Sequence, residues 1–281
     1  MSNIATKLSA CGRTLNPFLM VASTAAAAAL IAGSAPRAAS TQQAPRVNVE
    51  GTLFKVTPAD GAELPQAALP GTVLTLGDGT GLQRRLRIDA VEPDPKDRDG
   101  ETMLYTFSTQ DSVGGEWYNA CLPDPEGRRM GFPLHGAFTL DMKHVDVPGR
   151  FLITCTGGAE GKCIRFGYKP WRTLPDGTSL APYYQACVRL VRADYLGDGV
   201  GYTRNGTLID LFDRIGIQKD EPADGMELEA AWGPNGAICV RHTRVPEVLT
   251  TEALTAHFPS LTSGRCDEST PALLYNRSFA H

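Results

Sequence analysis

Between residues 47 and 112 the chain is written in short runs whose apolar positions fall on every second residue. The first is Val47-Asn48-Val49-Glu50-Gly51-Thr52-Leu53-Phe54-Lys55-Val56, and a period of two sends alternate side chains to opposite faces of a half-buried strand. Similar runs at 72–76, 82–91 and 102–107 are separated by Gly77-Asp78-Gly79 and by the charged, proline-containing stretch 92–101. Turn residues between alternating runs predict antiparallel strands. Residues 47–112 therefore read as an N-terminal β module, with a polar linker at 40–46 before it.

Helical spacing enters later. From 183 to 195 the apolar residues Tyr184, Cys187, Val188, Val191 and Tyr195 recur three or four apart, with Gln185, Arg189 and Arg192 on the other side, which predicts an amphipathic helix. Gly197 and Gly199 suit its stop, and the two arginines near its end complement the helix dipole. A shorter helix is expected at 251–257, ended by Pro259. Phe151 to Cys155 and Lys162 to Tyr168 read as strands flanking the glycine-rich 156–161. A hairpin stapled by Cys155 and Cys163 is one arrangement, and a short turn aiming both sulfurs at other partners is equally open. The fold class is α+β, mainly antiparallel β with one or two short helices. A second unit is expected at 113–247, followed by a C-terminal helix and tail at 248–281.

The N-terminus changes the picture. Lys7 and Arg13 precede an uncharged run from Phe18 to Ala32 with small residues after it, the layout of a secretory signal peptide, here residues 1–39. Fifteen helical residues cover roughly 22 Å, short of a hydrocarbon core of about 30 Å, so no stable membrane span is expected after cleavage. Removal of the leader takes Cys11 with it and leaves Cys121, Cys155, Cys163, Cys187, Cys239 and Cys266. An even set in an exported chain predicts disulfides, in any of fifteen pairings. Close cysteine pairs or histidines at zinc-ligand spacing are missing, so no metal or cofactor is expected. Without Lys7, Arg13 and Arg37 the 27 basic residues become 24 against 31 acidic, a net charge of −7. That balance argues against nucleic acid as a partner and points to a periplasmic or secreted protein meeting an envelope or extracellular ligand.

A set of motifs runs from Trp117 to Val245. It comprises Cys121, Phe151 with Cys155, Lys162-Cys163, Gly167-Tyr168-x-Pro170-Trp171, Gln185-Ala186-Cys187 and Val191-Arg192-Ala193-Asp194-Tyr195. Gly197-Asp198-Gly199, Gly206-Thr207-x-Ile209 with Asp213, and Glu229-Ala230-x-Trp232 with Cys239 follow. In this order they resemble the bacterial ADYC domain, a resemblance that implies an architecture and no reaction. One departure stands out: Leu196 occupies the position where the family's Ala-Asp-Tyr-Cys motif ends in cysteine. If that cysteine forms a disulfide in the family, Cys266 is placed to supply the missing sulfur.

Candidate chemistry is sparse. Asp194, Asp198, Asp210 and Asp213 lie near glycines, where carboxylates can bind cations or act as acid and base. The plainer role is that Asp198 shapes a turn while Asp194 accepts hydrogen bonds from backbone or Arg192. Tyr168, Trp171, Tyr183, Tyr184 and Tyr195 form an aromatic group able to stack on ring-bearing ligands, with Trp171 expected to be exposed and Tyr184 and Tyr195 buried. Asn205-Gly206 marks a tight turn between strands. The chain lacks the common nucleophile and phosphate-loop motifs. Two functions follow: an envelope-associated or secreted binding module, with Tyr168, Trp171, Asp210 and Asp213 as ligand contacts, or an extracytoplasmic hydrolase using Asp194 or Asp198 with Tyr195 or His242.

Overall fold

The computed structural model describes residues 45–59, 61–77, 83–110 and 114–280, together with the backbone of a two-residue strand, Met20–Val21 (β1). The rest of the expected signal segment, its cleavage region and Cys11 lie outside the described residues, as does most of the linker.

The alternating run at 47–56 is two strands, β2 (Arg46–Glu50) and β3 (Leu53–Thr57), where one was expected. The chain reverses at Gly51, whose φ of 57° suits a residue without Cβ. A two-residue turn keeps the alternation in phase, so β3 buries Phe54 and Val56 as the pattern requires. Next come β4 (Val73–Gly77), β5 (Gln83–Pro93), β6 (Met103–Gln110) and β7 (Tyr118–Asn119). They are followed by β8 (Gly131–His135), β9 (Ala137–Phe138), β10 (His144–Val145) and β11 (Arg150–Cys155). One sheet has the order β5-β4-β1-β11-β8-β6-β7, and an added β5–β6 pairing closes it on itself. The hairpin of β2 and β3 drives Phe54 into this core. Its ring meets Tyr105, Phe107 and Phe151 edge-on, with centroids 5.4–6.1 Å away, a favoured aromatic geometry.

A helix, α1 (Ala159–Arg165), replaces the strand expected at 162–168. Gly161 permits it: a Cβ there would lie 2.2 Å from the Cys155 carbonyl oxygen, so only glycine allows α1 to turn back so closely on β11. The helix α2 (Ala181–Arg192) buries Tyr184, Cys187 and Val188 as its spacing marked, and also Gln185 and Arg189, which were expected on the other side. Its stop comes earlier than expected, at Ala193 in the left-handed region with φ 52°, and the glycines at 197 and 199 shape the following turn. Asn205-Gly206 does form a turn, but it leads from irregular chain and not from a strand.

The second sheet contains β12 (Asp210–Asp213), β13 (Met226–Gly233), β14 (Gly236–Val240) and β15 (Leu274–Phe279), in the order β12-β15-β13-β14. Helix α2 packs on this sheet, and one continuous core runs from Phe54 through Tyr184 to Trp232. Helix α3 (Thr251–His257) starts where Thr250 accepts the Ala253 N–H. Pro259 opens a further turn, α4 (Pro259–Thr262), where its missing N–H costs nothing.

The six cysteines pair as Cys121–Cys155, Cys163–Cys187 and Cys239–Cys266. A Cys155–Cys163 staple is therefore not formed: α1 separates those sulfurs and sends Cys163 to α2. Cys266 takes Cys239 as its partner. Tyr195 O accepts the Ala237 N–H at 2.9 Å, so Leu196 lies beside the strand that carries Cys239.

Candidate functional site

Asp194 is closed off from solvent, with a side chain of zero exposure. Its carboxylate meets Arg189 Nη1 at 2.5 Å and accepts the backbone N–H groups of Asp198 and Gly199 at 3.1 and 3.0 Å. Burial raises its pKa above the ordinary value, opposed by the hydrogen bond from Arg189. The cationic partner is Arg189 and not Arg192, which donates instead to the Gly199 carbonyl. Asp198 accepts the Val200 N–H at 2.9 Å, in the manner of a turn-forming aspartate.

Tyr195 belongs to a different buried group. Its hydroxyl donates to Glu229 Oε1 at 2.9 Å, and Arg244 Nε lies 3.0 Å from both Glu229 oxygens. Asn276 Nδ2 donates to Glu229 Oε2 at 2.7 Å while its Oδ1 accepts Trp232 Nε1–H at 2.7 Å. Glu229 and Asn276 have zero exposure, and burial pushes the Tyr195 phenol well above its usual pKa. Glu229 and Trp232 meet the same buried amide although a regular strand would send residues three apart to opposite faces, and β13 departs from regular register at Leu228/Ala230 and Ala231/Trp232. His242 contacts Ser278 Oγ at 3.0 Å and is not among the partners of Asp194. Of the four residues expected of a hydrolase, Asp194 and Asp198 share one turn, while Tyr195 is bound to Glu229 and His242 to Ser278; Asp194 and Tyr195 are buried.

Of the aromatics, Trp171 is 40% exposed, while Tyr168, Tyr184 and Tyr195 are buried. Trp171 lies over Gly51, where a Cβ would come within 3.3 Å of its ring. Beside it, Lys169 is enclosed: its Nζ lies 2.8 Å from Asp97 and 2.9 Å from Asp99 and Glu101. Burial opposes the charge on Asp97, but hydrogen bonds from Lys169 and Thr102 win and hold its pKa at about 2. Arg172 pairs with Asp99 and Glu101, both at 2.9 Å.

Tyr168 is fully buried and therefore no ligand contact. It acts as an anchor, its hydroxyl donating to Asp213 Oδ2 at 2.6 Å. Asp213 also accepts the N–H groups of Ile215, Gly216, Ile217 and Gln218. One side chain thereby folds the loop after β12. Gly167, with φ 104°, lets that loop approach, since a Cβ there would lie 2.9 Å from Ile217 Cγ2.

The loop forms one wall of an open groove of about 340 Å³ lined by Arg98, Phe166, Ile209, Asp210, Leu211, Ile217, Lys219 and Glu221 among others. Its lining mixes apolar side chains with charged groups of both signs. Burial, then the hydrogen bond to Asp220, pushes the Asp210 pKa up to about 6. Asp220 is held below its ordinary value by Arg277, whose Nε and Nη2 each donate to it at 2.7 Å. On acidification Asp210 therefore takes up a proton before Asp220 does. The side chains of Arg98 and Lys219 make no ion pair or hydrogen bond with any described residue. Among the described residues no cluster of His, Cys, Asp and Glu could hold a metal ion.

Sequence reasoning picked out Asp210 and missed Arg98, Lys219, Asp220 and Arg277, which only the fold brings near it. The alternation Asp97-x-Asp99-x-Glu101 was the signal for the carboxylates around Lys169.

These features define a disulfide-stapled, mainly antiparallel α+β protein with a closed acidic centre and a separate open groove. Residues 66–246 match the ADYC domain, and the chain belongs to that family. The match begins within the segment read as a separate N-terminal module. No curated protein and no solved structure matches the chain significantly.

Proposed function

We propose that this protein is an exported module that binds a ligand of the cell envelope or extracellular space, using the Asp210 groove, with Trp171 as a further exposed contact. The carrying observation is that Arg98 and Lys219 border the groove with no ion pair or hydrogen bond from their side chains to any described residue. Charged side chains left unengaged in a groove that also has apolar lining are what a polar ligand needs. Three disulfides accord with a place outside the cytosol. No helix among the described residues is long and apolar enough to cross a membrane. The hydrolase reading has less support, because Asp194 is covered and hydrogen-bonded and Tyr195 is engaged with Glu229.

A thermal-shift screen of small polar compounds against the wild type and Lys219→Ala tests this. Binding at the groove raises the wild-type melting temperature and leaves the variant unmoved. Turnover of a peptide, ester or glycan substrate that Asp194→Asn abolishes in a folded protein would overturn it.

A further inference from the structure

The groove has a composition that selects among ligands. Arg98 and Lys219 offer positive charge, Asp210 and Glu221 negative charge, and Phe166, Ile209, Leu211 and Ile217 apolar surface. A purely anionic ligand would face the two carboxyl groups, and a purely cationic one the two basic side chains. A ligand with a carboxylate at one end and an ammonium at the other meets both sets favourably. The volume of about 340 Å³ lies at the small end of ligand sites and suits a few amino-acid residues.

Resting on the binding reading above, we infer that the groove takes a short peptide or amino-acid derivative as a zwitterion. Arg98 and Lys219 hold its carboxylate, and Asp210 with Glu221 holds its ammonium group.

The charged neighbours assign Asp210 this role. On β12, Asp213 is committed to Tyr168 and the loop backbone. In the connection to β13, Arg214 lies over the Tyr275 ring at 5.0 Å, leaving Lys219, Asp220, Glu221 and Asp224, of which Lys219 and Glu221 line the groove. On β15, Arg277 is divided between Asp220 and Glu268, and from the β5–β6 connection comes Arg98. Asp220 is neutralised by Arg277, so Asp210 is the carboxyl of the pair free to respond to a cation. It is ionised above its midpoint and neutral below it, so ammonium binding weakens as the solution is acidified through that midpoint. A bound ammonium in turn lowers the midpoint.

The test is amide-resolved NMR titration with trialanine, its N-acetylated form and its C-terminal amide. At neutral pH free trialanine shifts the amides of Ile209, Ile217 and Lys219, and blocking either end weakens binding by about tenfold, the effect of one lost charge-assisted contact. Lys219→Ala weakens the free and acetylated peptides, whereas Asp210→Asn weakens the free and amidated ones. Equal binding of all three peptides would overturn the inference. Silence toward trialanine while a neutral probe such as N-acetylglucosamine shifts the same amides would also overturn it, leaving the binding reading standing. A groove silent to every probe would remove both.

Discussion

The phenol of Tyr168 reaches Asp213 across forty-five residues of sequence and donates to its Oδ2 at 2.6 Å. Burial, then the neighbouring carboxylate, pushes the phenol far above its ordinary pKa, so it stays a donor at every pH the fold survives. Tyr168→Phe removes the donor and keeps the ring. A hydrogen bond to a charged acceptor contributes about 1.5–3 kcal/mol, and a loss of about that size is expected in denaturant unfolding. Asp213→Ala removes the acceptor for the whole loop, so amide exchange at 215–218 accelerates more than in Tyr168→Phe. Equal exchange in both variants would contradict the role given to Asp213.

The buried pair of Glu229 and Arg244 makes a second prediction. Glu229→Gln leaves the Arg244 guanidinium uncompensated, and breaking a buried pair in this way costs about 3–5 kcal/mol. Adding Arg244→Met removes the stranded charge and recovers part of that loss. Unfolding midpoints of the single and double variants decide the matter, and a double variant less stable than Glu229→Gln would show the charge was not the cause.

Cys163 and Cys187 are fully buried and join α1 to α2. Their sequence separation of 24 corresponds to a loop whose cross-link contributes about 3 kcal/mol in the chain-entropy account. The double serine variant is expected to unfold at lower denaturant by that amount. Alkylation of the unreduced native protein is expected to label none of the six paired cysteines, and labelling of most of them would refute the pairing.

Asp210 has a pKa of about 6 in the fold against about 3.9 in an unfolded chain. Between these values the folded state binds more protons, so this group's contribution falls as pH rises and its full penalty applies above about 6. Asp210→Asn therefore raises the melting temperature at neutral pH and changes it little below pH 4. Asp97 runs oppositely: with its pKa at about 2, the stability it lends is present above about 3.9 and is lost as pH falls toward 2. Carbon-detected titration of the carboxyl groups checks both midpoints.

Much of the fold was legible because local signals and packing agree. Helix α2 announced itself through Tyr184, Cys187 and Val188, and α3 coincides with its expected span. The turn at Gly51 was hidden because a two-residue reversal leaves an alternating pattern undisturbed. Helix α1 was hidden because seven residues make barely two turns, too few to establish a period. The β5–β6 pairing was signalled by the turn residues between its strands, but closing the sheet also needs β11 to meet β8 and β8 to meet β6, and the β6–β8 pairing has no local signature. In the site, Asp210 and Asp213 were visible as carboxylates near glycines. Their division of labour was not, because Tyr168 fixes one as a scaffold and Asp220 fixes the other as a shared acid. Asp194 looked reactive by composition, and its partner Arg189, one turn before the helix end, makes it structural.

On the proposed function, ligand is expected at the open groove beside Asp210 and not at the buried Asp194 turn. Amide chemical-shift mapping with a compound that stabilises the protein tests it most directly. Shifts at Ile209, Asp210, Ile217 and Lys219, with Asp194, Tyr195 and Asp198 unmoved, are the predicted result. Shifts centred on Asp194 and Tyr195, with the groove amides unchanged, would contradict it.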